Sequence, residues 1–221
     1  MRYINGWVDS IVLRRKARDF FHNEDRKITE HQQNILREEE TTMSKKVLVI
    51  STSLRNNSNS EALADAFVKG AKEAGHRVEK VSLREKSIGF CKGCLACLKV
   101  GECVIKDDAI QIAEKMHDTE VIAFATPIYY YEMSGQMKTL LDRANSLYGS
   151  DYRFEDIYLL SSAAEDEEGV DRRAIGGLEG WIECFERAKL AGTVFAGGVD
   201  AAGSIVGHSA LKEAYEAGKA V

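Results

Sequence analysis

Several common features are scarce or absent in this sequence. Proline occurs once among the 221 residues, and aliphatic runs such as Val47–Ile50 are far shorter than the roughly 20 apolar residues that cross a membrane. Thirty lysines and arginines against 35 aspartates and glutamates give a net charge of −5, so the chain has no overall positive field for nucleic acid. The N-terminus lacks the basic segment, apolar block and cleavage site of a secretory signal, which predicts a cytoplasmic protein. We therefore expect neither a membrane nor nucleic acid as a partner.

Several catalytic signatures are missing as well. The five histidines show no metal-binding spacing, and no Gly-x-Ser-x-Gly nucleophile elbow occurs. The chain contains neither the Gly-x-x-x-x-Gly-Lys loop of nucleoside triphosphatases nor the Gly-x-Gly-x-x-Gly loop of dinucleotide folds. These absences argue against a hydrolase and against both of those nucleotide-binding classes.

Length and composition indicate one domain with an appendage. Apolar residues make up 44% and charged residues 29% of the chain, close to the average for globular proteins. Residues 1–42 contain no strand-like run, and their apolar side chains at helical spacing predict a helical N-terminal extension without a catalytic role. Residues 43–221 are predicted to form the domain that carries the function.

From residue 46 onward, predicted strands alternate with predicted helices. Residues 46–51 form a continuous β-branched and leucine run, typical of a strand buried on both faces of a parallel sheet. Further strands are predicted at 76–83, 120–125, 157–161 and 193–197, and helices at 60–74, after Asp107 and Asp108, at 134–147, around Trp181–Ala188 and at 209–218. The alternation predicts an α/β fold, a doubly wound five-stranded parallel sheet with helices on both faces. Ligands in such folds bind at the carboxyl ends of the strands.

The loop after the first strand is rich in polar groups. Nine of the ten side chains from Ser51 to Ser60 are hydroxyl, amide or guanidinium groups, and the loop leads directly into a helix. Free backbone N–H groups and a partial positive charge at a helix N-terminus favour an anion. The loop is thus predicted to bind a monophosphate, the alternative being an ordinary turn with Ser58 or Ser60 as the helix N-cap.

The loop after the third strand is aromatic. The single proline, Pro127, is predicted to hold this turn rigid, and three consecutive tyrosines follow, Tyr129, Tyr130 and Tyr131. Their rings form a partly polar surface suited to a flat aromatic ligand, although tyrosines also cover helix ends and subunit interfaces. Together the two loops predict a ligand made of a flat heterocycle and one phosphate.

The residues around both loops resemble the flavodoxin-like NAD(P)H-dependent FMN reductases. The shared motifs are Ser-x-Ser-x-Arg-x-x-Ser-Asn-Ser at 51–60, Ala-Thr-Pro-Ile-Tyr at 125–129 and Met-Lys-Thr-Leu-Leu-Asp-Arg at 137–143. The resemblance covers about residues 46–200 and implies a flavodoxin-like fold, bound FMN, and reduction of flavins, quinones or similar acceptors by hydride from NAD(P)H. By motif, it assigns the FMN phosphate to Ser53, Arg55, Ser58, Asn59 and Ser60, the isoalloxazine ring to Pro127, Ile128, Tyr129 and Tyr130, and its other edge to Ser162 and Ala163.

Four of the five cysteines, Cys91, Cys94, Cys97 and Cys103, fall within thirteen residues. In a reducing compartment such clustering favours metal or redox chemistry over disulfides. The spacing resembles that of the iron–sulfur flavoproteins, a branch of the same family, which implies a [4Fe–4S] cluster that passes single electrons to ferredoxin-like partners. The residues themselves leave structural zinc and free thiols in the substrate pocket open as alternatives. Cys184 is predicted to lie in the core.

The resemblance therefore predicts an FMN-dependent oxidoreductase in which the flavin carries the chemistry and protein groups position it. No side chain is assigned as a general acid. Members of the family are usually dimers or tetramers, so a homo-oligomer acting on a small-molecule acceptor is expected. Two alternatives remain open, a flavodoxin-like electron carrier without enzymatic activity and an FMN-dependent sensor that acts through residues 1–42.

Overall fold

The structure is a computed structural model that describes residues 44–221, so the extension predicted for residues 1–42 lies outside the described range. Its strands are β1 (Lys46–Ser51), β2 (Arg77–Ser82), β3 (Val121–Tyr129), β4 (Glu132–Met133), β5 (Asp156–Ser162) and β6 (Lys189–Ala196). Its helices are α1 (Asn59–Glu73), α2 (Cys97–Val100), α3 (Asp108–His117), α4 (Gly135–Arg143), α5 (Arg172–Ile182) and α6 (Ser209–Lys219). Among these residues no helix combines the length and the apolar character that a membrane span requires.

Five strands form a parallel sheet in the order β2-β1-β3-β5-β6, and the short β4 pairs antiparallel with β3. This confirms the predicted flavodoxin-like, doubly wound sheet. The chain runs outward from β1 to β2 and then returns to place β3 on the other side of β1. The switch in strand order therefore lies between β1 and β3, where folds of this type bind their ligands.

Helices cover both faces of the sheet, and successive residues of the central strand β1 pack against helices on opposite faces. Leu48 and Ile50 of β1 face a core closed by α3, α4 and α5, whereas Val47 and Val49 face a second core closed by α1 and α6. All four side chains are at most 2% exposed. Because both faces of β1 are buried, its sequence is continuously apolar rather than alternating.

The second core depends on a close crossing of α1 and α6. A Cβ atom at Gly70 of α1 would overlap the carbonyl oxygen of Tyr215, and one at Gly218 of α6 would overlap the carbonyl oxygen of Phe67. The two helix backbones thus meet at glycines, which no larger residue can replace without separating the helices.

The prediction for Pro127 as part of a rigid turn is wrong, because β3 continues to Tyr129 and Pro127 pairs with Ser162 of β5. Strand β1 ends opposite Ala125. Beyond that point β3 has lost one parallel neighbour, and a proline, which has no N–H to donate, is tolerated where a strand edge is open.

The prediction that Cys184 lies in the core is also wrong, since this residue is exposed. Helix α5 ends at Ile182, and the following bonds run from Cys184 N to Trp181 O and from Phe185 N to Ile182 O. This tighter i to i+3 winding changes which side chains face inward. Phe185 enters the core, at 4% exposed, and Cys184 turns outward.

Candidate functional site

The polar loop after β1 meets the N-terminus of α1 as predicted. Ser53, Ser58 and Ser60 are buried, and the hydroxyl oxygens of Ser58 and Ser60 lie 3.0 Å apart. Ser58 occupies the N-cap position, yet its side chain makes no capping hydrogen bond, and Ser60 lies within the helix. The N–H groups of the first turn therefore stay available to an anion, which is the arrangement a phosphate needs.

Two predicted phosphate ligands bind another part of the chain. The Asn59 side-chain amide donates to the carbonyl oxygens of Val199 and Ala201, both at 2.9 Å, and its oxygen accepts from the Ile205 N–H. The Arg55 guanidinium donates to the carbonyl oxygen of residue 200 at 2.8 Å. The segment after β6 thus holds the polar loop in place. Sequence reasoning missed this segment, since nothing local to it signals a ligand site.

A buried group of hydroxyls joins the polar loop to the end of β3. Thr52 Oγ1 lies 3.0 Å from Ser134 Oγ and donates to the carbonyl oxygen of Ala125 at 3.1 Å. Thr126 Oγ1 donates to Ser134 Oγ at 3.2 Å and accepts from the Ser134 N–H at 3.0 Å. These bonds fix the spacing between the polar loop and the tyrosine segment that follows β3. Thr52 and Ser134 were not predicted as site residues, because neither stands out in the sequence.

The tyrosines form a strained hairpin between β3 and β4. Tyr129 pairs with Glu132, and the two residues between them, Tyr130 and Tyr131, have φ angles of 52° and 67°. A two-residue turn of this hand normally carries asparagine and glycine, because left-handed backbone is unfavourable for larger side chains. The strain presents Tyr130 to solvent at 97% exposure. Backbone strain of this kind is concentrated at functional sites.

The remaining predicted ring contacts lie at the same edge. Pro127 and Ile128 are partly buried in β3, and Ser162 and Ala163 are buried at the end of β5. Pro127 pairs directly with Ser162, and the Ala163 carbonyl oxygen accepts from the Val199 N–H at 2.9 Å. The structure thus gathers the predicted FMN residues at the carboxyl ends of β1, β3 and β5.

The four clustered cysteines line one cavity of about 410 Å³, which Leu141, Tyr148, Trp181 and the fifth cysteine, Cys184, also line. None of them forms a disulfide, and Cys97 Sγ accepts a hydrogen bond from the Asn145 side chain at 3.2 Å. Within residues 44–221, no three histidine, cysteine, aspartate or glutamate side chains stand close enough to hold a metal ion as they are placed. Four thiols around one cavity are nevertheless the donor set that a cubane cluster takes.

A buried ion pair holds the base of the cysteine loop. Arg143, at the end of α4, contacts Asp107 through Nη1–Oδ2 at 2.6 Å and Nη2–Oδ1 at 2.9 Å. Burial alone would raise the pKa of Asp107, but hydrogen bonds from Arg143 and from the Gly89 and Ala109 N–H groups outweigh it and lower that pKa. Asp107 also caps α3, as its position in the sequence predicted.

The cysteine cavity and the tyrosine hairpin lie at opposite ends of α4. The hairpin leads into the first residue of the helix, Gly135, and Arg143 at the last residue lines the cavity. At a rise of 1.5 Å per residue, the helix separates the two by roughly 13 Å.

A model of the family described as NADPH-dependent FMN reductase matches residues 45–169. The chain belongs to this family. The matched range contains the polar loop, the tyrosine hairpin and the cysteine loop, so the family expected from the motifs is confirmed on the part of the chain that carries them.

Curated relatives carry the name of the expected branch. An iron–sulfur flavoprotein of Archaeoglobus fulgidus is 37% identical over 98 residues, 44% of this chain and 44% of that protein. An iron–sulfur flavoprotein of Methanosarcina thermophila is 30% identical over 138 residues, 62% of this chain and 72% of that protein. The matched segments span about half the length of the first curated relatives, from 44% to 55%.

Solved structures support the fold. An NAD(P)H:quinone oxidoreductase from Methanothermobacter marburgensis superposes with a TM-score of 0.62 at 20% identity, covering 80% of this chain and 98% of the other. An azoreductase from Bacillus anthracis superposes with a TM-score of 0.61 at 16% identity, covering 80% and 100%. At these identities the likeness shows a shared fold.

Proposed function

We propose that the protein is an FMN-dependent oxidoreductase that takes hydride from NAD(P)H and reduces small acceptors such as flavins or quinones. One observation carries the proposal. The polar loop before α1 and the tyrosine hairpin after β3 are joined through Thr52 and Ser134 at the switch in strand order. Bound FMN would supply the redox chemistry.

The residues at this edge divide into ligands and supports. Ser53, Ser58 and Ser60, with the first N–H groups of α1, would hold the phosphate, and Arg55 would add positive charge. Asn59 would act through its backbone and by anchoring the loop, because its amide is already hydrogen-bonded to the segment after β6. Pro127, Ile128, Tyr129 and Tyr130 would line the isoalloxazine ring, and Ser162 and Ala163 its other edge.

A second part of the proposal concerns the four cysteines. Cys91, Cys94, Cys97 and Cys103 would ligate a [4Fe–4S] cluster, the cysteine loop closing around it, and the cluster would exchange single electrons with a ferredoxin-like protein. The shared cavity supports this assignment, as do the names of the relatives.

Such a site suits a reducing compartment, so we propose that the protein works in the cytoplasm.

We propose that the protein is a homo-oligomer. The turn residue Tyr130 is almost fully exposed, and the apolar side chains of Phe90, Leu95 and Val100 are more than half exposed. Exposed apolar groups next to a ligand site are typical of surfaces that another subunit covers. Light scattering during gel filtration tests this, and a monomer at all concentrations would contradict it.

The FMN assignment is tested by binding and turnover. The purified protein is titrated with FMN by flavin fluorescence, and oxidation of NADH and NADPH is followed with a quinone as acceptor. Ser58→Ala should weaken FMN binding about 10-fold, because each hydrogen bond to a charged group contributes roughly 1.5–3 kcal/mol. Ser150→Ala, whose hydroxyl only bonds the Leu147 carbonyl, is the control. Absence of FMN binding contradicts the proposal, and FMN binding without NAD(P)H oxidation favours the electron carrier.

The cluster assignment is tested by anaerobic purification with iron and acid-labile sulfide assays. About four irons and four sulfides per chain are expected for this cluster type. Cys94→Ser should abolish both, whereas Cys184→Ser, which changes an exposed thiol that lines the same cavity but lies outside the loop, should keep both. Flavin without iron in the wild-type protein would reduce the proposal to a plain FMN reductase.

A further inference from the structure

Arg143 holds both ends of the cysteine loop at once. Besides its two bonds to Asp107, Nη1 donates to the Gly89 carbonyl oxygen at 2.7 Å and Nη2 to the Ile105 carbonyl oxygen at 3.0 Å. Gly89 precedes the first cysteine, Cys91, by two residues, and Ile105 follows the last, Cys103, by two. The hydrogens on both Nη atoms are therefore committed to the base of the loop.

The remaining donor of this guanidinium, Nε–H, has no partner. The Arg143 side chain is 0% exposed, and Nε is among the few buried side-chain polar atoms in residues 44–221 without a hydrogen bond. A buried donor without a partner is costly, and in native structures it signals a missing acceptor.

The candidate acceptor for the Arg143 Nε–H is a cysteine sulfur. Arg143 lines the same cavity as the four cysteines, and it lines a second cavity of about 370 Å³ together with Cys103. The guanidinium is thus a buried, permanently charged donor beside the sulfur ligands.

We infer that Arg143 is a positioning residue for the four-cysteine site, in which both Nη atoms clamp the ends of the loop and Nε–H donates to a sulfur of the ligand set. This inference rests on the proposed cluster. A hydrogen bond from a cation to sulfur stabilises the more negative, reduced state and so raises the reduction potential. The clamp slows loss of the cluster, because groups that orient the ligands contribute to metal affinity.

Two variants separate the roles of the guanidinium. Arg143→Lys keeps the charge but removes Nε–H and the fork, whereas Asp107→Asn weakens the clamp and leaves Nε–H in place. Arg77→Lys, at an exposed arginine in the edge strand β2, is the control. For each anaerobically loaded protein, iron per chain, the rate of iron loss to a chelator, and the reduction potential by EPR-monitored titration are measured.

Arg143→Lys should lose iron about 10-fold to 100-fold faster than wild type and show a more negative potential. Asp107→Asn should lose iron faster without a negative shift in potential, because it removes a negative charge and keeps Nε–H, and Arg77→Lys should match wild type in both. An Arg143→Lys protein with the wild-type potential and the wild-type rate overturns the inference while leaving the cluster in place. Wild-type protein that takes up no iron overturns the cluster proposal, and the inference with it.

A measurement on the unmodified chain covers the case in which Arg143→Lys does not fold. The protein is labelled with ¹⁵N at arginine Nε, loaded, reduced and examined by pulsed EPR. Coupling of one ¹⁵N nucleus to the cluster spin is expected from an Nε–H···S hydrogen bond. Absence of any arginine coupling in loaded protein overturns the Nε assignment.

Discussion

Thr52 and Ser134 are 82 residues apart in the sequence, yet their hydroxyl oxygens lie 3.0 Å apart in a buried position. Ser134 also caps α4 by accepting from the Met137 N–H at 3.3 Å. One hydroxyl group thus starts a helix and sets the distance between the polar loop and the tyrosine hairpin. The polar loop and the tyrosine hairpin, the two halves of the proposed ligand site, are therefore positioned together rather than independently.

Ser134→Ala should lower the free energy of unfolding by about 1–2 kcal/mol, because it removes a helix cap and a hydrogen-bond partner of Thr52 and Thr126. Urea unfolding measures this. Thr139→Ala serves as the control, since that hydroxyl bonds only the Gly135 carbonyl within α4 and its loss should change stability by less than about 0.5 kcal/mol. Equal losses of stability in Ser134→Ala and Thr139→Ala would show that the buried Ser134 hydroxyl stabilises the fold no more than an exposed helical hydroxyl does.

Gly218→Ala should destabilise the fold by about 1–3 kcal/mol, because the added methyl group overlaps the Phe67 carbonyl where α1 and α6 cross. Thermal unfolding reports the loss. Gly176→Ala in α5 is the matched control, because a Cβ there meets nothing and alanine is the better helix former by about 1 kcal/mol. A Gly218→Ala protein as stable as wild type would mean that the two helices are not in backbone contact.

Tyr130→Asn should raise the free energy of unfolding by about 0.5–1 kcal/mol, because asparagine tolerates the left-handed backbone and the lost ring is fully in solvent. The same change should weaken FMN binding, which titration measures beside urea unfolding. Tyr148→Asn, at an exposed tyrosine without positive φ, should give no gain in stability. Improved stability without weaker FMN binding would remove Tyr130 from the ring site.

His117 predicts a pH dependence of stability. Hydrogen bonds to Asp118 and, to a smaller degree, Asp151 raise the pKa of His117 above 6.5, while those two carboxyls have lowered pKa values. The folded state holds this proton more tightly, so the pairs stabilise the fold below pH 6.5 and the stabilisation is lost as pH rises through the folded-state pKa. His117→Gln should therefore lower the free energy of unfolding at acidic pH and leave it unchanged well above the raised pKa of His117. Urea unfolding at a series of pH values measures this. A constant difference at all pH values would contradict this.

The number of cysteines that react with a thiol reagent should depend on whether the cluster is bound. All five cysteines are free, and only Cys184 lies outside the loop. Loaded protein should therefore react with a thiol reagent at one residue per chain, and the same protein should react at five after iron removal, because ligation blocks a thiolate. Absorbance of the released chromophore measures both numbers. Five reactive thiols in iron-loaded protein would place the iron elsewhere.

Most of the fold, and the positions of the polar loop and the tyrosine segment at one edge of the sheet, were predictable because their signals are local. The apolar run of β1 indicates burial on both faces, and the polar residues directly before α1 indicate a loop between the end of a strand and a helix N-terminus. The error at Cys184 has a local cause too. The prediction assumes that the α-helical period of about 3.6 residues continues past Ile182. The chain winds more tightly there, so that period no longer applies.

The supports of the site were not predictable, because they join distant segments. Asp107 and Arg143 are 36 residues apart, and Asn59 and Val199 are 140 apart. No periodicity or motif encodes such a partner. Asp107 and Asn59 each have a predicted local role, as a helix cap and as a phosphate ligand, which hides the long-range one.

The attachment of Asn59 to Val199 and Ala201 also bears on the order of events during biosynthesis. The ribosome completes the polar loop about 140 residues before it makes the carbonyl groups that hold the Asn59 amide. Until that later segment emerges, the loop lacks its anchor, however early β1 and α1 form. Flavin uptake should therefore be a late step, confined to chains whose synthesis has passed β6.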